Sequence, residues 1–317
     1  MVQLHKYSGA GNDFVVLDGR SEDVSAFRTP ERIAALCDRR TGVAGDIVIS
    51  SEVEKSRRGA DGLMILTDDA DYDFRMEFYN PDGSGGMMCG NGGRCIVAFA
   101  DTLGIKPRDG RVFHFVAADG EHTGEILGRD GDRKTVRLRL IDVHVFHPAL
   151  DGWFVDTGTR HFVRFVPDAE VVDVEEEGRR ARWDPLFAPV GANANFVSVD
   201  PDGTLRVRTF EKGVEGETLA CGTGITAAAI AAFLASPRTD RNYFSDKFAE
   251  KPISAPSSTT PTHASSAATP SPAGEIGESV HYDIQARIAR LAVDFQVGDG
   301  CFTDVYLTGP AEEVFPE

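Results

Sequence analysis

The chain has 317 residues, a formal net charge of −17, 41% hydrophobic and 26% charged residues. This length suggests two domains, and the composition is that of a soluble globular protein able to bury a real core. So acidic a chain, with no basic patch interleaved with aromatics, excludes nucleic acid as an expected partner. The longest near-continuous apolar run, 224–235, is too short to cross a bilayer. The opening residues Met1-Val2-Gln3-Leu4-His5-Lys6 lack the blocks of a signal peptide, so no membrane association and a cytoplasmic location are expected.

In chain order, strands are expected at 12–18, 63–67, 74–79, 111–117, 135–145, 153–156, 161–166, 195–200, 204–209, 288–295 and 302–307, where β-branched and aromatic residues run between turn signals. Helices are expected at 90–103 and 222–235. Both open at glycine-rich turns and carry almost no charge, the pattern of a helix apolar all round and buried at the centre of a domain. Two such helices among strands imply an α+β (α/β) fold of two similarly built domains. The first is expected at 1–146, with 303–317 packing back onto it, and the second at 147–302. Two segments break the pattern. Residues 44–58 lie between glycine-bearing pieces and are expected to be a short insertion. Residues 236–278, whose centre is almost wholly Pro, Ser, Thr and Ala, are expected to be a mostly disordered insert.

An internal repeat supports the duplication. Met88-Cys89-Gly90-Asn91-Gly92 opens the first helix and Ala220-Cys221-Gly222-Thr223-Gly224 the second. Related strand entries stand upstream at Asn12-Asp13-Phe14 and Arg160-His161-Phe162. Phe14 precedes Cys89 by 75 residues and Phe162 precedes Cys221 by 59; removing the 15 residues of 44–58 leaves 60 against 59.

The cysteines Cys37, Cys89, Cys95, Cys221 and Cys301 are odd in number and widely spaced, which argues against a disulfide framework. None form a CxxC pair, and no histidine completes a finger, so no metal site is expected. Cys89 and Cys221 differ from the rest in preceding G-x-G at a helix start. The first N–H groups of a helix have no internal partner and its positive end favours anions, so a thiol there is acidified. Glycines allow close backbone approach, and their N–H groups suit a carboxylate. Duplication is expected to set the two thiols facing each other across a cleft. A carbon acid held there could lose a proton to one thiolate and gain one from the opposite thiol, as inversion of a stereocentre requires. The helix N-termini would stabilise the developing charge.

Several motifs together resemble the diaminopimelate epimerase family: Lys6-Tyr7-Ser8-Gly9-Ala10-Gly11-Asn12-Asp13-Phe14, Asn80-Pro81-Asp82-Gly83-Ser84 and Cys89-Gly90-Asn91-Gly92-Gly93-Arg94-Cys95. To these are added Asn193-Ala194-Asn195-Phe196, Phe210-Glu211-Lys212-Gly213, Cys221-Gly222-Thr223-Gly224 and Leu307-Thr308-Gly309-Pro310. The resemblance implies two pseudo-symmetric domains, each a curved, mostly antiparallel sheet wrapped around a central helix. It implies an isomerase that uses no cofactor, converts LL- to meso-diaminopimelate for lysine and peptidoglycan synthesis, and is usually a homodimer. By the same resemblance Cys89 and Cys221 are the acid/base pair, and His161 and Glu211 support thiolate formation. Asn12, Asn80, Asn193, Glu211 and Lys212 contact the substrate, while Gly90, Asn91, Gly222 and Thr223 hold its α-carboxylate.

Arg94, Cys95 and Cys37 read as packing residues. The chain departs from the family pattern at Lys212, where an arginine is usual, at Thr159, where Asn or Ser is usual, and at 44–58, which interrupts a glycine-rich loop. Lysine cannot reproduce the bidentate grip of arginine on a carboxylate, so weaker distal binding is expected. Two rival readings remain at this point. One is an isomerase like the proline and hydroxyproline racemases, in which a His usually follows the first Cys-Gly. The other is a catalytically silent carboxylate-binding module.

Overall fold

The computed structural model describes residues 2–43, 47–48, 53–54, 58–86, 89–236 and 277–314. In chain order the elements are β1 (His5–Gly9), β2 (Asn12–Asp18), α1 (Pro30–Cys37), β3 (Ile47–Val48), β4 (Val53–Glu54), β5 (Gly62–Thr67), β6 (Phe74–Tyr79), α2 (Gly90–Thr102), β7 (Val112–Ala117), β8 (Gly120–Asp130) and β9 (Arg133–Arg139). There follow β10 (Val145–Ala149), β11 (Gly152–Asp156), β12 (Arg160–Phe165), α3 (Val174–Arg182), β13 (Asn193–Val199), β14 (Leu205–Glu211), β15 (Gly216–Thr218), α4 (Gly222–Ala235), β16 (Ser279–Gln285), β17 (Arg290–Val297) and β18 (Phe302–Glu313). The chain divides into two compact units. One is Met1–Leu140 with Ala286–Ala292 and Tyr306–Glu317; the other is Ile141–Gln285 with Val293–Val305. Sequence reasoning places the division at 146/147 and assigns 303–317 to the first domain.

In the first unit the strand order is β1-β2-β5-β6-β7-β8-β9, antiparallel except for the parallel pairs β2/β5 and β6/β7. β18 pairs with β9 through Gly309 and Val136 and with β1 through Tyr7 and Glu313, so the sheet closes on itself. A closed sheet needs something to fill it, and α2 does: its residues from Gly90 to Ala100 are all buried. The central strands β2 and β5 are buried on both faces, and their alternation divides them between two cores. Phe14, Val16, Met64 and Leu66 pack with Ile96 and Phe99 of α2. Val15, Leu17, Leu63 and Ile65 pack with Ile33 and Leu36 of α1.

The second unit repeats the plan. β11 and β12 are antiparallel, β12 and β13 parallel, β13 and β14 antiparallel, β14 and β16 parallel, the same sequence of directions as β1, β2, β5, β6 and β7. α3 lies between β12 and β13 in the chain as α1 lies between β2 and β5, and α4 follows β14 as α2 follows β6. One face of these strands sets Phe162, Ala194, Phe196 and Phe210 against Val174 and Ala181 of α3. The opposite face carries His161, Asn193 and Asn195, the last two being alternate residues of one strand. α4 is buried from Gly222 to Phe233 apart from Thr223, and holds no charged residue.

Helices α1 and α3, strands β1, β8, β15 and β16 and most of β10 are additions to the sequence reading, and the single strand expected at 135–145 is broken between Arg139 and Val145. α1 and α3 escape a hydrophobicity criterion because each buries a narrow stripe. Of the segment 44–58, the described part is Arg58 together with β3 and β4, an antiparallel pair. The chain leaves and returns at one point, since the Gly59 N–H donates to the Val43 carbonyl at 2.8 Å. The insert expected at 236–278 lies, apart from its two ends, outside the described residues. Among the described residues no helix is long and apolar enough to cross a membrane.

Small side chains let α4 be enclosed, which gives a direct test. Ala229 is wholly buried, so Ala229→Leu should destabilise the fold by about 1–3 kcal/mol through overpacking, read as a lowered urea midpoint. An unchanged midpoint would mean that α4 is loosely held.

Candidate active site

Each unit places one cysteine at the N-cap of its enclosed helix. In the first unit Cys89 has extended backbone angles (φ −104°, ψ 150°), and its Sγ accepts the Gly92 N–H at 3.2 Å. Three glycines in the first turn of α2 cost roughly 1 kcal/mol each in helix propensity. The helix forms nonetheless because the apolar residues that follow are enclosed by the sheet. Cys89 is partly exposed, whereas Cys95, in the same helix, is wholly buried and its thiol is pushed up by that burial. Burial likewise pushes Cys37 up to about 11, which leaves both as packing residues.

A continuous run of hydrogen bonds lies beside Cys89. Asn91, 4% exposed, donates from Nδ2 to Asn12 Oδ1 at 2.6 Å and accepts at Oδ1 from Arg94 Nη2 at 2.8 Å. Asn12 Nδ2 in turn donates to Asp61 Oδ2 at 3.1 Å. Arg39 binds Asp61 and also Asp13, which is paired with the buried Lys6 at 3.0 Å. Burial would raise the Asp61 carboxyl, but the Arg39 charge and the hydrogen bonds from Asn12 and the Asp13 backbone hold it below the usual carboxylate range. The amides of Asn12 and Asn91 are thus fixed in orientation from both ends. Asn80 stands apart, on a turn where its Nδ2 donates to Ser84 Oγ at 3.0 Å.

In the second unit Cys221 caps α4 (φ −107°, ψ 108°) and is 8% exposed. Its Sγ lies 3.5 Å from Thr223 Oγ1. That hydroxyl is a meeting point, 3.0 Å from His161 Nε2 and 3.1 Å from Thr159 Oγ1, which itself lies 2.9 Å from His161 Nε2. The tautomer of His161 follows from its other side. Asn195 Nδ2 donates to the Phe162 carbonyl at 3.0 Å and therefore also to His161 Nδ1 at 3.1 Å, which makes Nδ1 the acceptor and Nε2 the protonated nitrogen. With Nε2 donating into the threonine pair and Thr159 donating to Thr223, the Thr223 hydroxyl proton is left for the Cys221 sulfur. Gly224 makes this packing possible: a Cβ there would stand 2.4 Å from Asn195 Oδ1 and 3.2 Å from His161 Cε1.

His161 is completely buried, and burial, together with the nearby Lys212 charge, pushes its imidazole down to about 3. It is a neutral donor, not a cation. Asn193 is occupied with the backbone, accepting the Lys212 N–H at 2.8 Å and donating to the Arg160 carbonyl at 3.0 Å. This fixes the turn that presents Glu211 and Lys212, both partly buried at the end of β14.

Of the residues singled out from sequence, the structure joins Asn12, Asn91 and the Cys89 turn in one network, and His161, Thr223 and Cys221 in another. Sequence reasoning did not assign Asp61, Arg39 or Asn195 a place in these networks. The signal for Asn195 was present, since two asparagines at alternate positions of an otherwise apolar strand must share a face.

The neutral state of His161 has a thermodynamic consequence. Below about pH 6.5 the unfolded chain protonates this imidazole and the folded chain does not. Stability should therefore fall by about 1.4 kcal/mol per pH unit on this account as pH drops from 6.5 towards 3. His161→Gln should remove that component in urea titrations at successive pH values; equal slopes for the two proteins would show an imidazole that titrates normally.

The chain matches the family described as diaminopimelate epimerase over residues 4–121 and 153–246. A diaminopimelate epimerase of Chlorobaculum tepidum is 41% identical over 231 residues, 71% of this chain and 81% of the relative. One from Flavobacterium psychrophilum is 33% identical over 314 residues, 99% of this chain and 98% of the relative. Among solved structures, a phenazine biosynthesis protein of the PhzF family from Bacillus anthracis aligns with a TM-score of 0.61 at 12% identity, covering 99% of this chain and 97% of that one. A probable proline racemase from Agrobacterium radiobacter aligns with a TM-score of 0.52 at 16% identity, covering 100% and 91%. These two likenesses concern the fold alone.

Proposed function

This chain belongs to the diaminopimelate epimerase family, and from that premise we propose that it interconverts LL- and meso-diaminopimelate by proton transfer at the α-carbon, with Cys89 and Cys221 as base and acid. The observation that carries this reading is the pair of N-cap cysteines, each at the equivalent place of a duplicated topology. In one direction a thiolate takes the α-proton and the other thiol gives a proton to the opposite face of the carbon; in the reverse direction the roles exchange. No cofactor enters these steps.

The remaining residues divide the work by their surroundings. Gly90, Asn91, Gly222 and Thr223 belong to first helical turns, whose N–H groups suit the α-carboxylate and stabilise the charge that develops as the proton leaves. The Thr223 hydroxyl supports an anionic Cys221 and is itself oriented by neutral His161. Asn12, Asn80, Asn193, Glu211 and Lys212 would bind the rest of the substrate, whose second amino-acid end needs amides, a carboxylate and a cation. Lysine and peptidoglycan precursor synthesis, a cytoplasmic location and a homodimer complete the proposal.

Solvent deuterium should enter the α-position of diaminopimelate during turnover. Cys89→Ala and Cys221→Ala should each lose turnover by about 10²–10⁴-fold, the usual worth of a general acid or base. Turnover that survives either change would remove that cysteine from the acid/base pair, and wild-type protein that binds diaminopimelate without turnover would favour a binding module instead. The lysine at 212 gives a second test: Lys212→Arg should lower KM for diaminopimelate several-fold, because a planar guanidinium grips a carboxylate through two parallel bonds. An unchanged KM would remove Lys212 from the substrate site.

A further inference from the structure

Arg94 is the largest fully buried side chain among the described residues. Its Nη1 donates to the Gly90 carbonyl at 3.2 Å, its Nη2 to Asn91 Oδ1 at 2.8 Å, and its Nε to the Pro310 carbonyl of β18 at 3.4 Å. Every partner is a neutral oxygen, and among the described residues no carboxylate stands within ion-pairing distance. The acidic groups on the surrounding elements are committed elsewhere. Asp13 of β2 pairs with Lys6 and Arg39, Glu313 of β18 with His5, and Asp101 near the end of α2 with Arg129 and Lys134. The slot for the guanidinium is built into the strand opposite, since a Cβ on Gly309 would stand 3.2 Å from Nε and 3.0 Å from Leu291 Cδ2.

Burial of a charge without a counter-charge is strongly unfavourable, and here burial pulls the guanidinium down to about 10, which still leaves it cationic at neutral pH. The groups whose anions would oppose this loss are the thiols of Cys95 and Cys89. Cys95 stays protonated because burial pushes its thiol up. Cys89, one residue before the carbonyl that Arg94 grips, is the thiol that the proposed reaction turns into an anion. We propose that Arg94 is a positioning residue for Cys89: it clamps the first turn of α2 through Gly90 and Asn91, and its uncompensated positive charge stabilises the Cys89 thiolate. The assignment deepens the epimerase reading and rests on it for its catalytic meaning.

The test reads the acidity of Cys89 directly, as the pH dependence of its alkylation by iodoacetamide followed by peptide mass spectrometry, alongside kcat and KM for diaminopimelate. Arg94→Gln should move the alkylation midpoint up by about one pH unit or more, in the range by which neighbouring cations shift thiols. Arg94→Lys, which keeps the charge and loses the fork, should hold the midpoint within about half a unit of wild type while kcat falls. A glutamine variant that is folded by circular dichroism and alkylates like wild type overturns the proposal. Should that variant not fold, the lysine variant decides alone: a midpoint displaced by a unit overturns the proposal, and a retained one with lowered kcat supports it. Wild-type protein that alkylates as expected but does not turn over diaminopimelate would count against the epimerase reading and leave the effect of Arg94 on the thiol standing.

Discussion

A helix whose body is enclosed by a sheet still has four N–H groups at its start that no earlier residue of the helix can satisfy. This constraint arises twice in the molecule, at α2 and at α4, and it organises what surrounds them. Both helices begin with glycines that keep the backbone open to an approaching group, and both are preceded by a cysteine in extended conformation whose sulfur stands at the positive end of the dipole. Neither start has an acidic residue in its first turn. A carboxylate side chain there would quench the field.

Different polar devices support the two sulfurs. Beside Cys89 the support is ionic at its far ends, running from Arg94 through Asn91, Asn12 and Asp61 to Arg39. Beside Cys221 it is neutral throughout, from Asn195 through His161 to the hydroxyls of Thr159 and Thr223. The difference follows from what each helix start carries four residues on. α2 has an arginine there, whose charge must be accommodated; α4 has Ile225 and Thr226, and the Thr226 hydroxyl simply bonds back to the Gly222 carbonyl at 3.0 Å. The threonine at 159, a departure from the family pattern, reaches both His161 and Thr223 with its hydroxyl.

Both central helices were legible in the residues because enclosure on all sides leaves a composition that no surface helix shares. α1 and α3 were not, although their ends are well marked. Thr29 caps α1 ahead of Pro30, and Asp173 caps α3 ahead of three glutamates, with three arginines in its last turn. These are terminus signals, and a reading led by apolar runs passes over them. β8 was missed for a related reason: its glycines and exposed polar residues carry little strand propensity, and its place is set by pairing with β7 and β9 on either side.

From residues alone came the duplication, the two capped helices and the selection of Cys89 and Cys221 from five cysteines, because caps, glycines and all-round apolarity are properties of short stretches of chain. Tertiary structure decided that Cys95 is sealed while Cys89 is partly open, that His161 is neutral with its proton on Nε2, and that Arg94 lies buried among neutral oxygens. Burial and hydrogen-bond partnership depend on groups brought in from distant parts of the sequence, such as Asn91 meeting Asn12 or Arg94 meeting Pro310. No local pattern encodes which of those groups arrives with a charge and which without.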